Sequence, residues 1–164
     1  MSFLRPGAAI LEIGSAFGRD ANYLESFGFM VDRTDATQGF VDLLCKNGYS
    51  ARLFNILTDQ FDETYDLIFA NAVFLHFQPS EMAEVLAKIH QSLKRNGILS
   101  FSVKYGEGEE WSTEKVGLPR YYCYWNEEKI RALLVKQGYE ILFLSCDETW
   151  LQIIARPIEE LSFS

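Results

Sequence analysis

The chain has 164 residues and a mass of 18.8 kDa, with 48% hydrophobic, 15% aromatic and 23% charged residues. A chain of that size buries about 70% of its unfolded surface around one core, so the composition predicts a single globular domain over residues 1–164 and excludes a disordered tail protein. With 15 Lys and Arg against 23 Asp and Glu, the net charge of -8 argues against binding nucleic acid or an anionic membrane, and makes a small molecule the expected partner.

Residues 8–13 form a short β-type run ended by Gly14 and Gly18; residues 20–27 can be helical, and Gly28 stops them. Residues 29–34 read as a second strand, 40–47 as a helix closed by Gly48, 49–54 as a third strand and 65–70 as a fourth. Residues 80–95 carry the clearest helical pattern, with Met82, Leu86, Ile89 and Leu93 on one face, Ser80 as cap, and Lys94 and Arg95 before Gly97. Residues 98–103 are a fifth strand, and the polar, glycine-rich stretch 105–117 reads as a mobile flap. A further helix is predicted at 127–137, with Asn126 as cap, Glu127 and Glu128 in its first turn and Gly138 as stop. Residues 140–144 and 150–155 end the pattern as two strands, joined by too few residues for a crossover and hence antiparallel. Alternating strands and helices imply right-handed βαβ units and a mainly parallel sheet covered on both faces.

Cys45, Cys123 and Cys146 are dispersed, with no CxxC or CxxH spacing, which predicts reduced thiols in a cytoplasmic protein and neither a disulfide framework nor a zinc site. No His, Asp or Glu cluster has ligand spacing, so no metal is expected. The longest nearly apolar run, 67–77, is too short for a bilayer and is broken by Asn71 and His76; no secretory pattern opens the chain. The sequence does not set an oligomeric state.

The chemistry concentrates after the first strand, in Glu12-Ile13-Gly14-Ser15-Ala16-Phe17-Gly18-Arg19-Asp20. A tight glycine turn between a strand and a helix brings backbone N–H groups and the helix dipole to a ligand at the carboxyl edge of the sheet. A dinucleotide fingerprint needs glycine at 14, 16 and 19, where this chain has Gly14, Ala16 and Arg19, so a nicotinamide or flavin dinucleotide fits poorly. The pattern is acidic-x-Gly-x-Gly-x-Gly with Ala16 at the middle glycine. Further along come Thr34-Asp35-Ala36-Thr37, Tyr65-Asp66-Leu67-Ile68-Phe69-Ala70, Phe74-Leu75-His76-Phe77 and Leu93-Lys94-Arg95-Asn96-Gly97-Ile98-Leu99, in that order. Tyr121 to Trp125 and Trp150-Leu151 complete the set. Over about residues 8–157 the chain resembles the class I, Rossmann-like S-adenosylmethionine-dependent methyltransferases, in particular small bacterial-type members with a Gly-Arg-Asp version of the loop.

The resemblance implies a three-layer, doubly wound α/β fold, with a mainly parallel seven-stranded sheet in the order 3-2-1-4-5-7-6 and an antiparallel C-terminal hairpin strand. It implies S-adenosylmethionine as cofactor, S-adenosylhomocysteine as product, and methyl transfer to a small-molecule acceptor by in-line displacement. Cofactor contacts are then expected from Glu12, Gly14, Ser15, Ala16, Gly18 and Arg19. Gly14 and Gly18 would admit the methionine moiety, Glu12 would orient the loop or reach the ammonium through water, and Arg19 would pair with the carboxylate. Asp35 would accept the ribose hydroxyls and Ala36 would lie under the adenine, with Asn55 and Ile56 standing where the family often places an adenine-binding Asp. Asn71 and Ala72 would turn backbone carbonyls to the ammonium.

Toward the acceptor, His76 either serves as a base or packs at a strand end with its ring bonded to backbone; both readings stay open. Lys104, Tyr121 and Tyr122 are the other acceptor-side candidates, with Tyr124 and Trp125 extending an aromatic wall. Ala16, Asn55 and the want of a clear base leave an alternative, a cofactor-binding scaffold or regulatory subunit with weak or no turnover. The first strand begins near residue 8, where relatives carry preceding helices, so the expectation is a minimal member or a chain cut at its amino end, with an open cofactor cleft.

Overall fold

The computed structural model describes residues 4–114 and 117–158; Lys115 and Val116, within the predicted flap, lie outside the described residues. In chain order the elements are β1 (Ala9–Ile13), α1 (Arg19–Glu25), β2 (Met30–Asp35), α2 (Gln38–Lys46), β3 (Ala51–Leu53) and β4 (Tyr65–Ala70). A short 3-10 turn at Phe74–His76 leads into α3 (Pro79–Ser92) and β5 (Leu93–Tyr105). Then follow β6 (Glu109–Ser112), β7 (Arg120–Trp125), α4 (Glu127–Lys136), β8 (Tyr139–Cys146) and β9 (Trp150–Pro157).

The main sheet runs β3-β2-β1-β4-β5-β9-β8, parallel from β3 to β5 and antiparallel from there on. Because β8 and β9 are the sixth and seventh predicted strands, this is the order 3-2-1-4-5-7-6. The strand order runs outward one way from β1 and the other way from β4, which puts the topological switch point at the carboxyl ends of those two parallel strands.

The pleat sorts the side chains into two layers. Leu11, Ile13, Ile68, Ala70, Leu99 and Val103 point to one face, against Met82, Val85, Leu86 and Ile89 of α3 and Ile130 and Leu134 of α4. Ile10, Val31, Leu67 and Phe69 point to the other, where α1 covers them with Ala21 and Leu24. Each such aliphatic or aromatic side chain stabilises the fold by about 1.5–3 kcal/mol on burial, before chain entropy is set against it.

Two expectations change at helix ends. Ser80 is not the cap of α3: Pro79 opens the helix, and the Glu81 carboxylate accepts the Gln78 N–H at 2.8 Å, closing a capping box with Gln78, two residues earlier, as cap. The same helix stops at Ser92, because Leu93 is already extended and pairs with Tyr65 as the first residue of β5. The cap of α4 is as expected, with Asn126 Oδ1 accepting from the Lys129 N–H at 2.8 Å.

The predicted flap and aromatic wall form one object, the hairpin β6–β7, in register Glu109↔Cys123 to Ser112↔Arg120. Lys104 and Tyr105 of β5 pair in parallel with Tyr124 and Trp125, while Lys104 also pairs with Trp150 of β9. A strand has only two edges, so β7 shares the β4 edge of β5 and sits beyond the carboxyl end of β4.

Candidate functional site

The loop after β1 is built from left-handed backbone. Gly14 has φ 75°, Ala16 φ 45° and Gly18 φ 75°, and Gly14 and Ser15 both donate to the Thr34 carbonyl, at 2.9 and 2.8 Å. Gly14 is required for space as well as for φ, since a Cβ there would lie 2.5 Å from Val73 Cγ2. Ala16 adopts a conformation that costs an L-residue about 1–2 kcal/mol. It is held there by Asp35, whose Oδ2 accepts the Ala16 N–H at 3.0 Å while Oδ1 accepts the Thr37 N–H at 2.8 Å. Asp35 thus spans from the glycine loop to the start of α2, and each of its oxygens keeps a lone pair for a ligand hydroxyl.

Beneath the loop, Glu12 is 3% exposed. Its Oε2 has no hydrogen-bond partner, while Ser15 donates to the carboxylate and its hydroxyl oxygen accepts the Thr34 N–H at 3.1 Å. Burial, with the Asp20 carboxylate adding to it, outweighs the Ser15 bond and the nearby Arg33 and pushes the Glu12 carboxyl up to about 7. Arg33 is itself buried and fastens α1 to β2: Nη1 and Nη2 reach the two Glu25 oxygens at 2.7 Å, Nη2 also reaches Asn22 Oδ1 at 2.8 Å, and the guanidinium lies 4.5 Å from the Tyr49 ring centroid.

At the end of β4 the chain turns sharply through Asn71 and Ala72, the latter at φ 57°. Asn71 Nδ2 donates to Asp20 Oδ2 at 2.9 Å, its Oδ1 accepts from the Ser102 hydroxyl, and that hydroxyl accepts the Ala72 N–H at 2.9 Å. Asp20, Asn71 and Ser102 also form one end of a cavity of about 330 Å³ on the α1 face, floored by Leu67, Phe69 and Ile154.

The structure therefore brings Glu12, Gly14, Ser15, Ala16, Gly18, Asp35, Asn71 and Ala72 together around the switch point, with Arg19 exposed at the start of α1 and Ala36 exposed beside Asp35. Asn55 and Ile56 lie just past β3. Asn55 Oδ1 accepts the Leu57 N–H at 3.0 Å and the Asn55 N–H donates to Asp59, an Asx-type turn, and Ile56 is buried in the core.

On the acceptor side, His76 Nδ1 lies 2.8 Å from the Tyr121 carbonyl, which fixes the proton on Nδ1, and its ring is 4.9 Å from that of Tyr122. Tyr122 and Trp125 are buried core residues, so the aromatic strand is mostly packing. Tyr121 stacks edge-on to the exposed Trp111, and burial, with Glu109 beside it, pushes its hydroxyl well above the usual phenol range. Lys104 lies 4.9 Å from the Trp150 ring centroid, a cation–π contact. His90 is half-buried, its ring 5.3 Å from that of Tyr139. Sequence reasoning missed Asp20, Val73 and Ser102. The one available signal for Ser102 was the alternation Leu99-Ser100-Phe101-Ser102-Val103, a polar face on a central strand.

A family model described as a methyltransferase domain matches residues 11–99, more than half of the chain and the span that holds the glycine loop, Asp35 and Asn71. The chain belongs to the methyltransferase domain family. Its fold is that of the class I S-adenosylmethionine-dependent methyltransferases, as solved structures agree. An S-adenosylmethionine-dependent methyltransferase from Methanosarcina mazei superposes with a TM-score of 0.85 at 16% identity, covering 97% of this chain and 96% of that one. One from Mesorhizobium loti gives 0.75 at 14% identity, covering 94% of each chain. The 1,6-didemethyltoxoflavin N1-methyltransferase of Burkholderia thailandensis, solved with 1,6-didemethyltoxoflavin and S-adenosylhomocysteine, gives 0.74 at 21% identity, covering 93% of this chain and 72% of that one. Among the described residues of this methyltransferase domain, no helix is long and apolar enough to cross a membrane.

Proposed function

We propose that the chain binds S-adenosylmethionine at the carboxyl ends of β1, β2 and β4 and transfers its methyl group to a small-molecule acceptor. The observation that carries this is the Asp35 clamp on a left-handed loop over an unpartnered, buried Glu12 oxygen. Such a loop offers N–H groups and close approach, Asp35 offers lone pairs to ribose hydroxyls, and Glu12 offers an acceptor to a cationic group. Those residues fit the cofactor's chemistry. When bound, S-adenosylmethionine supplies a methyl group on a sulfonium that is displaced in line.

Because that reaction needs little covalent help, the contribution of the chain is to hold the two partners in line and keep water away. The hairpin β6–β7, tied by the His76–Tyr121 contact to the turn after β4, stands beside the acceptor end of the proposed site. With its Nδ1 on a carbonyl, His76 can act on an acceptor proton only through Nε2. The net charge of -8 and the acidic start of the hairpin, Glu109 and Glu110, support a neutral or cationic small acceptor over nucleic acid. Titration of the purified protein with S-adenosylmethionine and S-adenosylhomocysteine tests the reading: saturable binding of both is expected, and no binding at millimolar ligand overturns it.

A second reading, a cofactor-binding regulatory subunit without turnover, is favoured by the strained Ala16 and by Asn55, an uncharged amide whose oxygen already accepts from its own turn. Binding without any S-adenosylhomocysteine formed across a broad acceptor panel would select it; turnover with one acceptor removes it.

A further inference from the structure

We infer that Ser102 is the positioning residue for the amino-acid end of the cofactor, an inference that rests on the reading of the chain as an S-adenosylmethionine binder. Ser102 lies on β5, two strands away from the glycine loop, and touches no part of that loop's backbone in the hydrogen bonds described. Its hydroxyl does two things at once. It accepts the Ala72 N–H at 2.9 Å and donates to Asn71 Oδ1, so its single proton and one lone pair are both committed to the turn that ends β4.

That turn needs such support. Ala72 sits at φ 57°, a backbone region that an alanine keeps only when its surroundings over-determine it. The other arm of Asn71 is held by Asp20 at the start of α1, at 2.9 Å. Asp20, Asn71, Ser102 and the Ala72 N–H thus form one chain of bonds from α1 across β4 to β5. With the Asn71 side chain and the Ala72 N–H drawn toward β5 and α1, the peptide carbonyls of the turn are fixed in direction. Val73, the next residue, then lies against Gly14, as the 2.5 Å approach of its Cγ2 to a Cβ built there records. A cation on the ligand would meet carbonyls already aimed, rather than a turn that must be ordered on binding.

The cavity behind Ser102 makes a clean test, because it leaves room for one more methyl group. Ser102→Ala removes both bonds, and Ser102→Thr keeps the hydroxyl and places its methyl toward the cavity. The probes are S-adenosylhomocysteine, which carries the amino-acid end, and 5′-methylthioadenosine, which has the adenosine and sulfur without it. Expected for Ser102→Ala is a rise of about tenfold in the Kd for S-adenosylhomocysteine with that for 5′-methylthioadenosine unchanged. Ser102→Thr is expected to bind both like the parent protein. An equal loss for both probes would make Ser102 a general structural residue and overturn the inference, as would wild-type affinity for S-adenosylhomocysteine in Ser102→Ala. A parent protein that binds neither probe would overturn the cofactor reading itself, and this inference with it.

Discussion

Asp35 Oδ2 accepts the Ala16 N–H at 3.0 Å, so the last residue of β2 holds the strained residue of the loop that follows β1. A single carboxylate therefore serves the loop and, in the proposed reading, the ribose hydroxyls of the ligand. Asp35→Asn leaves one acceptor oxygen where two N–H groups now bond, and puts an NH₂ against one of them. Hydrogen bonds to charged groups contribute about 1.5–3 kcal/mol, so the Kd for S-adenosylhomocysteine is expected to rise by about 10- to 100-fold. Calorimetric titration checks it, and an unchanged Kd would mean that Asp35 serves the loop alone.

Glu12 gives the pH dependence. Its carboxyl is raised in the folded chain to about 7 by burial, whereas unfolded it titrates in the ordinary range near 4.5. The folded state binds more protons than the unfolded state between those values, so stability falls as pH rises from about 4.5 to 7 and levels off above. Glu12→Gln should remove that slope in urea unfolding measured across the range. A cationic ligand favours the ionised carboxylate, so affinity for S-adenosylmethionine should rise with pH through the same window, with a proton released on binding below pH 7. Equal proton release in Glu12→Gln would assign the effect to another group.

Most of the fold was legible because the chain marks its elements with punctuation that has a physical cause. Gly28, Gly48 and Gly138 stand at positive φ where helices end, and Asn126 caps α4 as its side-chain chemistry requires. The hairpin β6–β7 was not legible, since its first strand, Glu-Glu-Trp-Ser, has neither alternation nor β-branched residues and forms only by pairing with Arg120–Trp125. Around the site, local motifs put the glycine loop, Asp35 and Asn71 at the carboxyl ends of β1, β2 and β4, and the strand pairing brings those ends together. Asn55 has two uses for one side-chain oxygen, an Asx turn and an adenine contact; the Leu57 N–H two residues on takes one lone pair and leaves the other open. Ser102 stayed hidden because its role is set by pairing across strands, through Asn71, some thirty residues earlier in the chain.

Gly14 should tolerate no side chain. Gly14→Ala combines a left-handed alanine, costing about 1–2 kcal/mol, with an overlap against Val73 that costs about 1–3 kcal/mol. The thermal midpoint is expected to drop by about 5–15 °C. Adding Val73→Ala relieves the overlap and leaves the φ strain, so the double variant should recover about 1 kcal/mol relative to additivity. Strict additivity in that cycle would show that the two residues do not press on one another.

Arg33 tests the fastening of α1 to β2. Its side chain is 4% exposed and that of its partner Glu25 33% exposed, so breaking the pair leaves a carboxylate that can still reach water. Arg33→Met should therefore cost about 3 kcal/mol, the lower end for a broken buried pair. Arg33→Lys should restore less than half of that, because one ammonium cannot reach both Glu25 oxygens and Asn22 Oδ1 from a single position. Since α1 carries Asp20, which holds the Asn71 side chain, S-adenosylhomocysteine affinity should fall along with stability. The double variant Arg33→Met with Glu25→Leu removes both charges and should regain stability over Arg33→Met alone. Urea unfolding and ligand titration on the same four proteins separate the cases. An Arg33→Met protein with the parent's urea midpoint would mean that α1 is held by Ala21 and Leu24 against the sheet, and that the buried guanidinium adds nothing to it.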